Sequence, residues 1–370
     1  MRKDARKSGT STPSRVRVAV RIRPGTPAAG NSSASTEDVS QSPSLRSSSA
    51  DHSTLSTECL PSSHAFGTSA VHFNHDNQSK TFTFDHVFPS KSTQKDVYTE
   101  ALQPLLTPFL NGFNVTVLAY GQTGSGKTYT VGNKTSVTPA TSPARLVNPN
   151  AESTSHKIGE NDGLLPRFLC DLFASLRKEP SVKTIYVSFL EIYCDEVRDL
   201  LQQNRAGNAK DSQLAIREDE HKVWVENLRQ LQIENVEKAL ELMNLGRAKQ
   251  IVSSNALNDT SSRSHAIYTM EVSRKFVNEI KKTKLTFVDL AGSERLKKTQ
   301  VEGVRMKESI QINALGNVIN ALGDDKSQKR RNSVSAADAP EPFVPYRSSK
   351  LTRLLRDSLG GNSMTLFINS

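Results

Sequence analysis

The chain has 370 residues and a formal net charge of +10, from 48 Lys and Arg against 38 Asp and Glu. That length allows one large domain or two ordinary ones, and the positive balance suits an acidic partner such as nucleic acid, an anionic membrane or an acidic protein surface. Three scattered cysteines (Cys59, Cys170, Cys194) argue against a disulfide framework and fit a reducing compartment, and neither a secretory signal nor an apolar run of roughly 18 residues is present.

The charge is concentrated in two places. Residues 1–25 carry eight basic side chains and one acid, and residues 295–356 carry thirteen basic and six acidic ones, so each stretch is net +7 and the remainder is −4. Residues 1–14 read as a solvated basic tail. The second cluster is interleaved with apolar residues that can fold.

Residues 16–22 alternate with a period of two, the signature of a strand. Residues 26–78 read as a disordered insertion: 13 of residues 31–63 are Ser, and so little apolar surface cannot offset the entropy of ordering. Patterned sequence resumes near Lys80, with helical spacing over 97–110 and a short apolar run at 115–120, typical of a buried strand. Residues 133–161 are again polar and rich in turn formers, and read as a second disordered insertion. Helical spacing follows at 164–176 and 236–247, with strand-like stretches at 183–192 and 284–290. Strands alternating with helices imply an α/β domain with a largely buried sheet. No internal repeat or sustained heptad pattern is present, so no coiled coil is expected and the chain as given reads as a monomer.

Gly121-Gln122-Thr123-Gly124-Ser125-Gly126-Lys127-Thr128 fits G-x-x-x-x-G-K-[ST] and follows the apolar run at 115–120, as a strand–loop–helix phosphate site requires. Glycines let backbone N–H groups point at phosphate oxygens. Lys127 would reach the β- and γ-phosphates and the Thr128 hydroxyl would ligate Mg²⁺, with the start of the following helix adding positive potential. Asp289-Leu290-Ala291-Gly292-Ser293-Glu294 follows another strand. Its Asp289 is positioned like an acid that holds Mg²⁺, and Gly292 could offer a backbone N–H to a γ-phosphate. Asn258-Asp259-Thr260-Ser261-Ser262-Arg263-Ser264-His265 is a dense polar run between patterned segments, which by itself suggests only a loop or a cap.

Together these stretches resemble the motor domain of kinesins. The phosphate loop, a first switch (258–265), a second switch (289–294) and Val344-Pro345-Tyr346-Arg347-Ser348-Ser349-Lys350-Leu351-Thr352 occur in the family's order over residues 15–370, apart from the two insertions. Within the family, residues 307–313 and 216–219 look most like the chromokinesin and Costal-like branch. The resemblance implies a three-layer P-loop NTPase fold, a central, mostly buried mixed sheet with helices on both faces, and a microtubule-binding ATPase that uses ATP and Mg²⁺ and couples hydrolysis to microtubule interaction and microtubule-based movement. Arg21, Arg23 and Pro24 would form the adenine side, with Tyr98 against the base. Ser262 would complete the Mg²⁺ shell of Thr128 and Asp289. Asn258 and Ser261 would face the γ-phosphate and its water, and Arg263 and Glu294 would form the ion pair that closes the switches.

The resemblance also implies a partner, the acidic surface of tubulin in microtubules, bound in the cytoplasm through Lys297, Lys298, Lys329, Arg330, Arg331, Arg347, Lys350 and Arg353. Opposite charge would steer that encounter. A nucleic-acid partner is disfavoured because the cluster lacks a stacking-aromatic pattern. Besides lacking a dimerising stalk, the pattern departs from the family's in two places. About four residues expected after Asn313 are missing from the helix that relays the nucleotide state, a change of roughly 6 Å in reach. The chain also ends at Ser370, where the family continues into a final helix and neck linker. These departures keep open a second reading, a nonmotile nucleotide-binding scaffold on microtubules.

Overall fold

The computed structural model describes residues 16–24, 54–59, 69–75, 78–132, 158–202, 214–219, 222–256, 263–277, 279–294, 304–323, 343–361 and 363–370. Strand β1 is Val16–Arg21 and β5 is His86–Phe88. A helical stretch between them and the next strand opens with α1 (Gln94–Val97) and closes with α2 (Leu106–Leu110). Then come β6 (Asn114–Tyr120), α3 (Lys127–Val131), α4 (Leu164–Lys178), β7 (Val182–Tyr193) and β8 (Glu196–Asp199). A two-stranded hairpin, β9 (Ile216–Glu218) with β10 (Val223–Val225), precedes β11 (Leu231–Ile233) and α5 (Val236–Ala256). Long strands β12 (His265–Lys275) and β13 (Ile280–Asp289) lead to α6 (Val304–Gly323), α7 (Lys350–Leu354), α8 (Arg356–Gly360) and β14 (Ser363–Asn369).

The main sheet has the order β11-β7-β12-β13-β6-β14-β1-β5, with β8 paired to β7. It is mixed. β6 lies between β13 and β14, parallel to both, whereas β7, β12 and β13 pair antiparallel. One face buries α4, α5 and the α1–α2 stretch against Val115, Val117, Phe189, Tyr268 and Phe287. The other buries Ile312, Leu315 and Val318 of α6 and Leu351, Leu355 and Leu359 against Leu118, Ile192, Ile267 and Val288. This is the three-layer α/β arrangement expected. α4 shows why these residues make a helix: its buried Leu164, Leu165, Phe168, Leu169, Leu172, Phe173 and Leu176 recur every three or four positions, and each contributes roughly 1.5–3 kcal/mol by burial.

The disordered reading of 26–78 is corrected at its C-terminal end. Thr54–Cys59 (β2), Ser69–His75 (β3) and Gln78–Phe84 (β4) form a three-stranded antiparallel sheet. The serine density of residues 31–63 gave no strand signal, yet β3 buries both Ala70 and Val71. The remainder of that insertion, residues 1–15 and most of 133–161 lie outside the described residues. α6 runs without a break through residues 313–316, and Ile312, Leu315 and Val318 are buried along one side of it.

Candidate active site

The parallel pairing of β13 with β6 sets Asp289 opposite Ala119, beside the loop that leaves Tyr120. Leu290 N donates to Ala119 O at 3.1 Å and Ser293 N to Gly121 O at 3.0 Å, so residues 289–294 lie along the phosphate loop. A crevice beyond the C-terminal ends of parallel strands is where open α/β sheets bind ligands. Gly126 precedes α3 with φ +112°, a left-handed conformation that an L side chain would strain. α3 is only five residues long, so the loop amides rather than a helix dipole make the cradle.

A cavity of about 310 Å³ opens here, lined by Thr123, Gly124, Lys127, Thr128, Arg247, Gln250, Ile251, Ser264, Asp289, Leu290 and Gly292. Lys127 is 8 % exposed, and its Nζ donates to Gly121 O at 2.9 Å and Gln122 O at 2.8 Å. Burial pushes its ammonium below the ordinary lysine range, against the pull of Asp289 and Glu294. Thr128 Oγ1 donates to Asp289 Oδ2 at 2.7 Å, and Arg247 Nη1 donates to the same oxygen at 2.9 Å. Glu294 accepts from Thr123 N at 2.8 Å and Thr123 Oγ1 at 2.5 Å.

A second cavity, of about 370 Å³, lies on the other side of Thr123 and Gly124 and takes in Val20, Arg21, Ile22, Arg23, Val71, Gln122 and Ser125. Arg21 donates to Gln94 Oε1 at 2.8 Å and Thr130 Oγ1 at 3.0 Å and lies over the Tyr129 ring at 5.3 Å. Arg23 donates to Gly124 O, and Pro24 is exposed at the end of β1. Tyr98 is not among the residues lining either cavity. It is 6 % exposed in the core with its hydroxyl donating to Asp171 Oδ2 at 2.5 Å, and the ring beside Arg21 is Tyr129.

Asn258, Ser261 and Ser262 lie outside the described residues, as do Lys297, Lys298, Lys329, Arg330 and Arg331. Arg263 is half-buried at the head of β12. Arg347 is 81 % exposed and ion-paired to Glu218, Lys350 is half-buried, and Arg353 donates to Glu218 Oε2 at 3.3 Å. Sequence reasoning missed Arg247 and gave His265, the last residue of the first switch, no role of its own. His265 is buried and its Nδ1 accepts from Ala291 N at 3.0 Å, which ties the end of the first polar run to the second.

The residues fit a nucleotide with Mg²⁺. The buried Ser125 hydroxyl has no protein partner, and Thr128 with Asp289 offers the hard oxygen donors that Mg²⁺ prefers. Among the described residues there is no group of three or more His, Cys, Asp or Glu that could hold a metal ion. No helix among the described residues is long and apolar enough to cross a membrane.

Fold and site define a P-loop nucleotide-binding protein. The model of the kinesin motor domain matches residues 21–370, and the chain belongs to that family. It is 41 % identical over 298 residues to the chromosome-associated kinesin KIF4 of Xenopus laevis, covering 78 % of this chain and 22 % of that protein. It is 39 % identical over 309 residues to the kinesin-like protein KIF27 of Mus musculus, covering 79 % and 20 %. The chain thus spans about a fifth of the length of these curated relatives. A solved structure of a fast kinesin aligns with a TM-score of 0.67 at 30 % identity, over 96 % of this chain and 84 % of that one.

Proposed function

We propose that this chain is a microtubule-stimulated ATPase that acts on cytoplasmic microtubules. The observation that carries the reading is the Thr128–Asp289 pair at 2.7 Å, at the foot of a cavity that also holds the buried ammonium of Lys127. Thr128 and Asp289 would hold Mg²⁺ together with Ser262, and the metal would neutralise charge on the phosphates. Lys127 exchanges the carbonyls of Gly121 and Gln122 for β- and γ-phosphate oxygens. The backbone N–H of Gly292 faces the γ-phosphate, with Asn258 and Ser261 orienting the attacking water. Phosphoryl transfer asks for such positioning and charge neutralisation more than for covalent work by the protein. Glu294, held to Thr123, leaves that contact to meet Arg263 when the switches close. Arg21, Arg23 and Tyr129 take the base end. Lys297, Lys298, Lys329, Arg330, Arg331, Arg347, Lys350 and Arg353 supply the basic face for tubulin, and membranes and nucleic acid are not partners in this reading.

The test is steady-state ATP turnover of the purified chain with and without microtubules. Strong stimulation is expected, and Lys127→Ala should lower turnover at least about a hundredfold. Microtubule binding without stimulation would replace this reading with a nucleotide-binding scaffold. No microtubule binding would refute both.

A further inference from the structure

Arg247 occupies a place in the phosphate-side cavity that no role above uses. Its position follows from packing. Gly246 sets the backbone of α5 directly on Phe189 of β7, where a Cβ would come within 2.1 Å of the ring, and this close approach delivers the next side chain to Asp289. The Arg247 side chain is 15 % exposed and that of Asp289 is 9 % exposed, with 2.9 Å between Nη1 and Oδ2. The oxygen it holds is the one that also accepts from Thr128. Arg247 further lines a small cavity beneath the site, walled by Val131, Phe189 and Tyr268. The Arg247 guanidinium therefore rests against the carboxylate that a divalent metal would use.

We infer that Arg247 is a built-in competitor of Mg²⁺ for Asp289. It neutralises the carboxylate while no metal is bound and lowers the affinity of the site for the metal, so bound ADP is released more readily. This rests on the nucleotide site proposed above. The electrostatics set the direction. Arg247 and a divalent cation a few ångströms apart repel each other, and in a site this shielded from water the repulsion is only partly screened. The negative phosphates of the nucleotide reduce that cost without removing it. A plain structural ion pair predicts the opposite sign, because losing the guanidinium would loosen Asp289 and weaken the metal site.

The two signs separate in a Mg²⁺ titration of N-methylanthraniloyl-ADP dissociation from the purified chain. In Arg247→Met the Mg²⁺ concentration that half-maximally slows ADP release should fall about tenfold. Arg247→Gln, which keeps a donor near Asp289 without the charge, should shift the same way and carries the test if the Met variant does not fold. Arg247→Lys keeps the charge without the planar fork and should stay within about threefold of the parent. Unchanged or weaker Mg²⁺ dependence in the neutral variants overturns the inference. If the parent itself binds no ADP, the nucleotide-site reading fails and the inference falls with it.

Discussion

His265 has exchanged its charge for burial. Desolvation lowers its pKa to about 4, with Lys127 reinforcing the shift and Asp289 opposing it, so the imidazole is neutral and its Nδ1 accepts from Ala291. The sign of the pH effect follows by linkage. In the unfolded chain a histidine titrates near 6.5, so between about pH 6.5 and 4 the unfolded state takes up a proton that the folded state refuses. Stability from this site is complete above about pH 6.5 and is lost as pH falls toward 4, by on the order of 3 kcal/mol. Thermal melts of the parent and of His265→Gln across that range should show the parent's melting temperature falling more steeply on acidification. Parallel curves would count against the assignment. At this scale the sequence was legible wherever a motif fixes a residue's neighbours, as for Lys127, Thr128 and Asp289. It was silent on Arg247, because the helical periodicity of 236–247 marks a buried face and does not say which charged tip meets which strand end.

α6 shows the same division for an element. Its apolar phase was readable across residues 313–316, and Ile312, Leu315 and Val318 are buried as that phase requires. What fixes the helix in place was not readable. Gln311, 2 % exposed, donates from Nε2 to Asp195 Oδ1 at 2.6 Å and accepts from Leu351 N at 3.0 Å. One amide thus clamps the helix to the β7–β8 turn and to the start of α7. That turn carries two consecutive left-handed residues, Cys194 and Asp195, as a tight hairpin between twisted strands demands. Gln311→Ala leaves the Leu351 N–H buried without its acceptor, which costs about 1–3 kcal/mol. Denaturant midpoints would register that loss, and an unchanged midpoint would mean the clamp is not stabilising. The β2–β4 sheet is the complementary case. The pattern near Lys80 was readable and falls in β4, but β2 and β3 were not, and they emerge only through the antiparallel pairing of β2 with β3 and of β3 with β4.

Across the whole molecule, the net charge of +10 suggested an acidic polymer as partner, and the fold changes how part of the basic cluster is used. Glu218 of the β9–β10 hairpin holds both Arg347 and Arg353, so two expected microtubule contacts are engaged internally. Glu218→Gln would free both guanidinium groups and raise the positive potential of that face. Co-sedimentation with microtubules over a salt series should then persist to higher ionic strength than for the parent. Release of the variant at the same or lower salt would show that Glu218 does not restrain these arginines.

By itself the sequence determined the α/β class, the phosphate loop, the acid that ends β13 and the order of the motifs, because each is written in local periodicity or in residues adjacent along the chain. The tertiary structure alone decided that β6 sits between β13 and β14, that Arg247 and Thr128 share one oxygen of Asp289, that Tyr129 rather than Tyr98 lies beside Arg21, and that Glu218 restrains Arg347 and Arg353. These pairings join residues dozens to more than a hundred positions apart. No local pattern records them, because they arise only when strand register and helix packing bring remote side chains within hydrogen-bonding distance.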